Sequence, residues 1–135
     1  MPHKTERQKN YVGQVWGAIN HYSRRLNKQS IIIGDLNSNA IWDKKYRVGN
    51  HSDVVQLLNK KSIHSIYHRQ EKEEHGKEKQ PTFYLTKKLE KPYHLDYCFA
   101  TEDLIGKNTS IKVGKYDEWI ELSDHMPIII DHLNI

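Results

Sequence analysis

The spacing of apolar residues divides the chain into helical and extended stretches. Between residues 8 and 27 they fall at Val12, Val15, Trp16, Ile19, Tyr22 and Leu26. Steps of three and four put them on one face of an amphipathic helix. Arg24, Arg25 and Lys28 close it with cations that suit the negative end of a helix dipole. Residues 31–36, beginning Ile-Ile-Ile, predict a strand. Residues 38–51, SNAIWDKKYRVGNH, predict a long loop. Ser52 is placed to cap a short helix carrying Val54, Val55, Leu57 and Leu58. Residues 63–68 alternate and predict a second strand. Residues 69–80, RQEKEEHGKEKQ, contain no apolar side chain and predict a solvated loop. Further strands are expected at 82–85, 94–100, 110–116 and 127–132, with one helical turn at 101–104.

This order predicts an α/β domain: one mixed β-sheet of about six strands with helices on one face. Two helices of real length cannot cover both faces of such a sheet. The other face is expected to be polar, or to pack on another body.

Composition narrows the class. A chain of 135 residues suits a single domain spanning 1–135. Only 36% of residues are hydrophobic and the mean hydropathy is -0.85, so the core is thin or shared. No run approaches the roughly 20 apolar residues of a membrane span. The first ten residues, MPHKTERQKN, lack the apolar centre of a signal peptide. With one cysteine, Cys98, no internal disulfide forms. A cytoplasmic protein without a membrane partner is expected. The net charge of +4 and pI near 9.1 lean towards polyanions such as nucleic acid. Nine histidines and 17 acidic residues dilute that signal.

The candidate chemistry lies in three polar islands beside apolar strands. They are Gly34-Asp35-Leu36-Asn37, His94-Leu95-Asp96-Tyr97 and Ser123-Asp124-His125-Met126-Pro127. Asp35 and Asn37 alone would suit the turn that ends a strand. A carboxylate beside a buried strand is costly unless paired, however, and three such places in one small domain point to a common site. An Asp can hold an imidazole in one tautomer and stabilise its charged form. A carboxylate with an amide can orient water or a hydrated metal ion. No serine or cysteine has the setting of an activated nucleophile, and Cys98, inside HLDYCFA, reads as a buried inert thiol. No glycine-rich phosphate loop and no zinc-ligand spacing is found. Hard oxygen donors point to Mg²⁺ or Mn²⁺, and the set suits metal-assisted phosphoester hydrolysis by water. Trp42 with Lys44, Lys45 and Arg47 forms either a loop that contacts phosphates and bases or a solvated basic loop. Phe83, Tyr84 and Tyr93 read as core or sheet-face aromatics. His51 reads as part of the turn before Ser52, and His64, His68, His75 and His132 have no assigned role.

GDLN, HLDYCFA and SDHMPI, in this order, resemble the last three motifs of the endonuclease/exonuclease/phosphatase superfamily, the group of deoxyribonuclease I and the exonuclease III-like nucleases. YVGQVWGAINHYSRRL and PTFY are similar to segments of its bacterial members. The resemblance runs from about Asn10 onward and implies a metal-dependent phosphodiesterase or endonuclease-type hydrolase. It implies that Asp35 handles the proton of the attacking water or leaving group, and that Asn37 positions the same groups. It implies that His125 contacts the scissile phosphate, that Asp96 orients His125, and that Asp124 lies near the metal and phosphate. It covers only the C-terminal half of such enzymes, which are four-layer α/β sandwiches built from two similar halves. Their N-terminal half supplies an Asn and the principal metal-binding Glu, and neither has a counterpart in this sequence. The resemblance therefore also admits a catalytically incomplete chain. The uncovered sheet face would then receive a complementing N-terminal half, or a second copy in a homodimer. DNA, RNA, phospholipid and inositol phosphate substrates all stay open.

Overall fold

The computed structural model describes residues 10–46 and 48–135. Asn10 opens the first helix, α1 (Tyr11–His21), its side chain accepting the Gly13 amide at 2.6 Å. Val12 and Ile19 are buried from one face of it, with Val15 and Trp16 packed beside them. The turn after α1 runs into a single 3-10 turn, Arg25–Asn27, before the chain extends. The second helix, α2 (His51–Lys60), starts at Asn50 and not at Ser52. Asn50 accepts the Asp53 amide, while Asp53 accepts the amides of Gly49 and Asn50. This reciprocal capping box outcompetes a lone serine. The Ser52 hydroxyl instead bonds the Asp43 carboxylate.

The described residues form seven strands, in chain order β1 (Ile31–Asp35), β2 (Ile63–Ser65), β3 (Phe83–Tyr84), β4 (Pro92–Tyr93), β5 (Asp96–Thr101), β6 (Ser110–Val113) and β7 (Ile128–Asp131). They do not join into the expected single mixed sheet of about six strands. They form a three-stranded sheet ordered β1-β5-β2 and two two-stranded ribbons, β3-β4 and β6-β7, and every pairing is antiparallel. The breaks have local causes. The expected strand at 63–68 stops after three residues because the Ser65 side chain caps a helix, α3 (Ile66–Glu71). Thr86 and Lys87 take positive φ and end β3 after two residues, and Pro92 has no amide to lend to a longer ladder. The expected strand at 110–116 gives way at Gly114 to a short helix, α4 (Tyr116–Trp119).

The central strand β5 holds the molecule together. Tyr97, Cys98, Phe99 and Ala100 are all buried, because both of its faces are covered. Tyr97 and Phe99 pack with Val54, Leu58 and α1 on one face. Cys98 and Ala100 pack on the other with Ile66 and Tyr67 of α3 and with Ile111 and Ile128 of the β6-β7 ribbon. Each of these large side chains contributes about 2 kcal/mol by leaving water. Burial pushes the Cys98 thiol up to about 11, which fits an unreactive core residue. The ribbon does not reach β1. Ile31 and Ile33 face the same side as Cys98 and Ala100 and remain 41% and 57% exposed. Among the described residues, no helix is long and apolar enough to cross a membrane.

Candidate functional site

The end of β1 sets the first part of the site. Gly34 sits at φ +139, a conformation that side chains rarely adopt, just before Asp35. Asn37 takes φ +45 and its backbone amide donates to Asp35 Oδ1 at 2.7 Å. This tight turn fixes one carboxylate oxygen and leaves the other, Oδ2, outside the turn. Among the described residues, the exposed Asn37 amide side chain has no hydrogen-bond partner.

The β1-β5 register supplies the second part. Asp35 stands directly opposite Asp96, so the two carboxylates share one face of the sheet, away from α1 and α2. Thr82, fully buried, fixes Asp96. Its hydroxyl accepts the amides of Leu95 at 2.8 Å and Asp96 at 3.0 Å.

The segment ahead of β7 brings in the third part. The Tyr84 amide donates to the Asp124 carbonyl and the Met126 amide to the Thr82 carbonyl, so residues 82–84 clamp 124–126. His125 Nδ1 then meets Asp96 Oδ2 at 2.9 Å, and Nε2 faces Asp35 Oδ2 at 3.8 Å. The first contact is a hydrogen bond. The second is too long for one, so the two groups face each other across a gap. The Asp96 side chain is 13% exposed, that of His125 32% and that of Asp35 45%. The triad thus runs from a shielded carboxylate to an open one. Partial burial lowers the His125 pKa, but the Asp96 hydrogen bond and charge, with Asp35 and Asp124, overcome this and raise it above 6.5. The ligand atoms of Asp35, Asp96 and His125 lie within 4.8 Å of one another. Asp124 is not part of that group and acts through its charge on its neighbour.

Four of the residues singled out from the sequence therefore gather at one place: Asp35, Asn37, Asp96 and His125. The basic loop lies beside them. Residues Ala40–Lys45 form a 3-10 helix, held by Asn39 accepting the Ile41 amide. Trp42 is half-buried with its ring 5.5 Å from that of Tyr93; Tyr93 lies 6.4 Å from Phe83, and Phe83 4.7 Å from His125. A row of rings thus leads from the loop to the triad, and Phe83 and Tyr93 line it where the sequence suggested only packing. Lys44 and Lys45 are exposed, and Lys45 lies over the Tyr46 ring. A cleft of about 200 Å³ joins Asn37, Trp42, Lys45, Tyr46 and Tyr11. Arg47 lies outside the described residues.

The sequence reading missed a second polar cluster behind the first. His51, His68, His75 and His94 lie with Glu78 between β5, α2, α3 and the loop that follows α3.

No known family model matches this chain, and neither a curated protein nor a solved structure matches it.

Proposed function

We propose that this chain is a phosphodiesterase of the endonuclease/exonuclease/phosphatase type, acting on nucleic acid by direct attack of water. The observation that carries the proposal is the convergence of Asp35, Asp96 and His125, which come from three distant parts of the sequence. Asp96 holds the His125 ring and favours its charged form. The imidazolium donates from Nε2 to a non-bridging phosphate oxygen and offsets the charge that builds there. Asp35, the most open of the three, takes the proton of the attacking water as its oxygen bonds to phosphorus. The bond from phosphorus to the ester oxygen breaks, and that oxygen takes up a proton from solvent. The unpaired Asn37 amide fixes the direction of approach. A hydrated Mg²⁺ suits the two carboxylates Asp35 and Asp96, since such ions keep several waters and need only one or two protein oxygens; it would supply further charge neutralisation at the phosphate. Lys44 and Lys45 suit backbone phosphates and Trp42 a stacked base, with Arg47 assigned to the same surface from sequence. The net charge of +4 supports a polyanionic substrate. A cytoplasmic setting goes with this reading.

A second reading is favoured by the exposed Ile31 and Ile33 on the same sheet face as the site. Here the chain binds phosphate but needs a complementing half, or a second copy, seated on that face before it cleaves. One experiment separates the two. Purified protein is assayed on plasmid DNA and on a small phosphodiester reporter with Mg²⁺ or Mn²⁺. Metal-dependent cleavage, lost in both Asp35→Ala and His125→Ala, is expected for the first reading. Cleavage that survives either substitution sinks it. A wild-type chain that is silent alone but active once an N-terminal half is added supports the second.

A further inference from the structure

The histidine cluster has the build of a metal centre. Each of its four rings is tied through Nδ1. His51 Nδ1 meets Ser38 Oγ at 3.0 Å, His68 Nδ1 meets Ser65 Oγ at 2.6 Å, and His94 Nδ1 meets the Gln80 carbonyl at 2.7 Å. His75 Nδ1 meets His51 Nε2 at 2.9 Å. Histidines that hold metals show this habit, because a bond to one ring nitrogen fixes the tautomer and aims the other. A carboxylate completes the set. The Glu78 side chain is only 4% exposed; it accepts from His68 Nε2 at 2.9 Å, from the Gly76 amide and from the Asn39 side chain. Ligand atoms of His68, His75 and Glu78 fall within 4.8 Å of one another. Independently, the buried Nε2 of His94 has no hydrogen-bond partner among the described residues, an expensive state for a residue 5% exposed. Its ring centroid is 5.7 Å from that of His68.

We infer that His68, His75 and Glu78 bind a zinc-class transition-metal ion, with His94 as a spare nitrogen and His51 and Ser65 as outer supports. Two imidazoles and one carboxylate favour zinc over magnesium, which prefers oxygen throughout. The rings of His68 and His75 are stacked, 3.5 Å apart and 12° from parallel. An ion shared by both must lie in the plane of each, so His75 turns out of the stack on binding. It is half-buried, sits beside Gly76 at φ +95, and borders a cleft of about 360 Å³ that opens to solvent. Through Asn39 and His94 the ion would clasp the loop after α3 to the strand ends that carry Asp35 and Asp96.

This inference does not rest on the hydrolase reading, and its test measures metal and not cleavage. The full chain is stripped with EDTA, dialysed against Zn²⁺, desalted, and analysed for bound metal and for thermal stability. We expect about one equivalent retained, with a higher melting temperature. Co²⁺ in its place should give the visible absorption of a low-symmetry nitrogen-oxygen site. His75→Ala, on a half-exposed loop, and Glu78→Gln should each lose at least about tenfold in affinity. His125→Ala should retain zinc unchanged. Retention below about a tenth of an equivalent overturns the inference, as does full retention by His75→Ala or loss in His125→Ala.

Discussion

At the scale of single residues, the state of His125 decides what the site can do. Three carboxylates surround one imidazole, and only Asp96 bonds it directly. The charged form is therefore favoured relative to a free imidazole, and in that form the ring can grip an anion. Sign matters for stability as well. A histidine pKa raised on folding adds stability that is complete below the unfolded value near 6.5 and is lost as pH rises through the folded value. Removing the Asp96 charge should move the His125 midpoint down. We expect wild-type His125 to titrate above 6.5 by NMR of its ring protons, and Asp96→Asn to titrate lower. Equal midpoints would mean that the hydrogen bond carries no charge preference. Asp35, Asp96 and His125 were legible in the sequence because each sits in a short polar island against an apolar strand. The second cluster was not. His75 and Glu78 lie in the apolar-free stretch 69–80 that reads as solvated loop, and His68 ends the stretch 63–68 that reads as a strand. Only the folded chain shows that Glu78 turns inward, drawn by Asn39 and His68 from elsewhere in the sequence.

At the scale of elements, the site depends on one buried hydroxyl. Thr82 Oγ1 accepts two backbone amides at the start of β5, and so fixes where Asp96 points. Thr82→Val keeps the shape but leaves two buried donors without an acceptor. We predict a loss of about 2–4 kcal/mol in urea unfolding, together with weakening of the Asp96–His125 bond. A change below about 0.5 kcal/mol, the usual reach of an unimportant surface substitution, would show that water replaces the hydroxyl at no cost. The same element shows where sequence reasoning ends. Periodicity located α1, β1 and β5, because their apolar residues recur with the period of the element. It extended β2 through residue 68, because 63–68, IHSIYH, reads as an alternating stretch, although Ile66 and Tyr67 are adjacent apolar residues. The Ser65 cap, a local hydrogen bond, converts the second half of that stretch into α3. Periodicity also cannot state which strands meet. The ribbons β3-β4 and β6-β7 stay apart from the central sheet because prolines, positive φ angles and short helices interrupt their ladders.

At the scale of the whole molecule, the unusual feature is how much histidine and carboxylate the small core encloses. Burial holds His51 down to about 4, with the nearby His68 and His94 adding to it and Asp43 and Glu78 opposing it. Burial and the His68 and His51 rings hold His75 to about 3. Both rings are neutral when folded and free to take a proton near pH 6.5 when unfolded. The unfolded chain thus binds more protons between those values, and stability must fall as pH falls from 6.5 towards 4. For Glu78, burial favours the neutral acid, but bonds from His68, Gly76 and Asn39 win and hold it at about 2. Its contribution is present above its unfolded value near 4.5 and is lost at more acid pH, so it steepens the same decline below the histidine range. His125 works in the opposite direction, but it is partly exposed and solvent screens its contribution. We predict that the EDTA-treated protein loses at least about 3 kcal/mol of unfolding free energy between pH 7 and pH 4, the amount expected of His51 alone, with His75 adding to it. Urea titrations at several pH values measure it. His51→Gln should flatten the profile over the range where its ring would titrate, whatever its cost at pH 7. A wild-type profile flat from pH 7 to pH 4 would mean that the buried histidines already carry their protons in the folded state, and the polar heart of the core would then be an ionic network and not a neutral one.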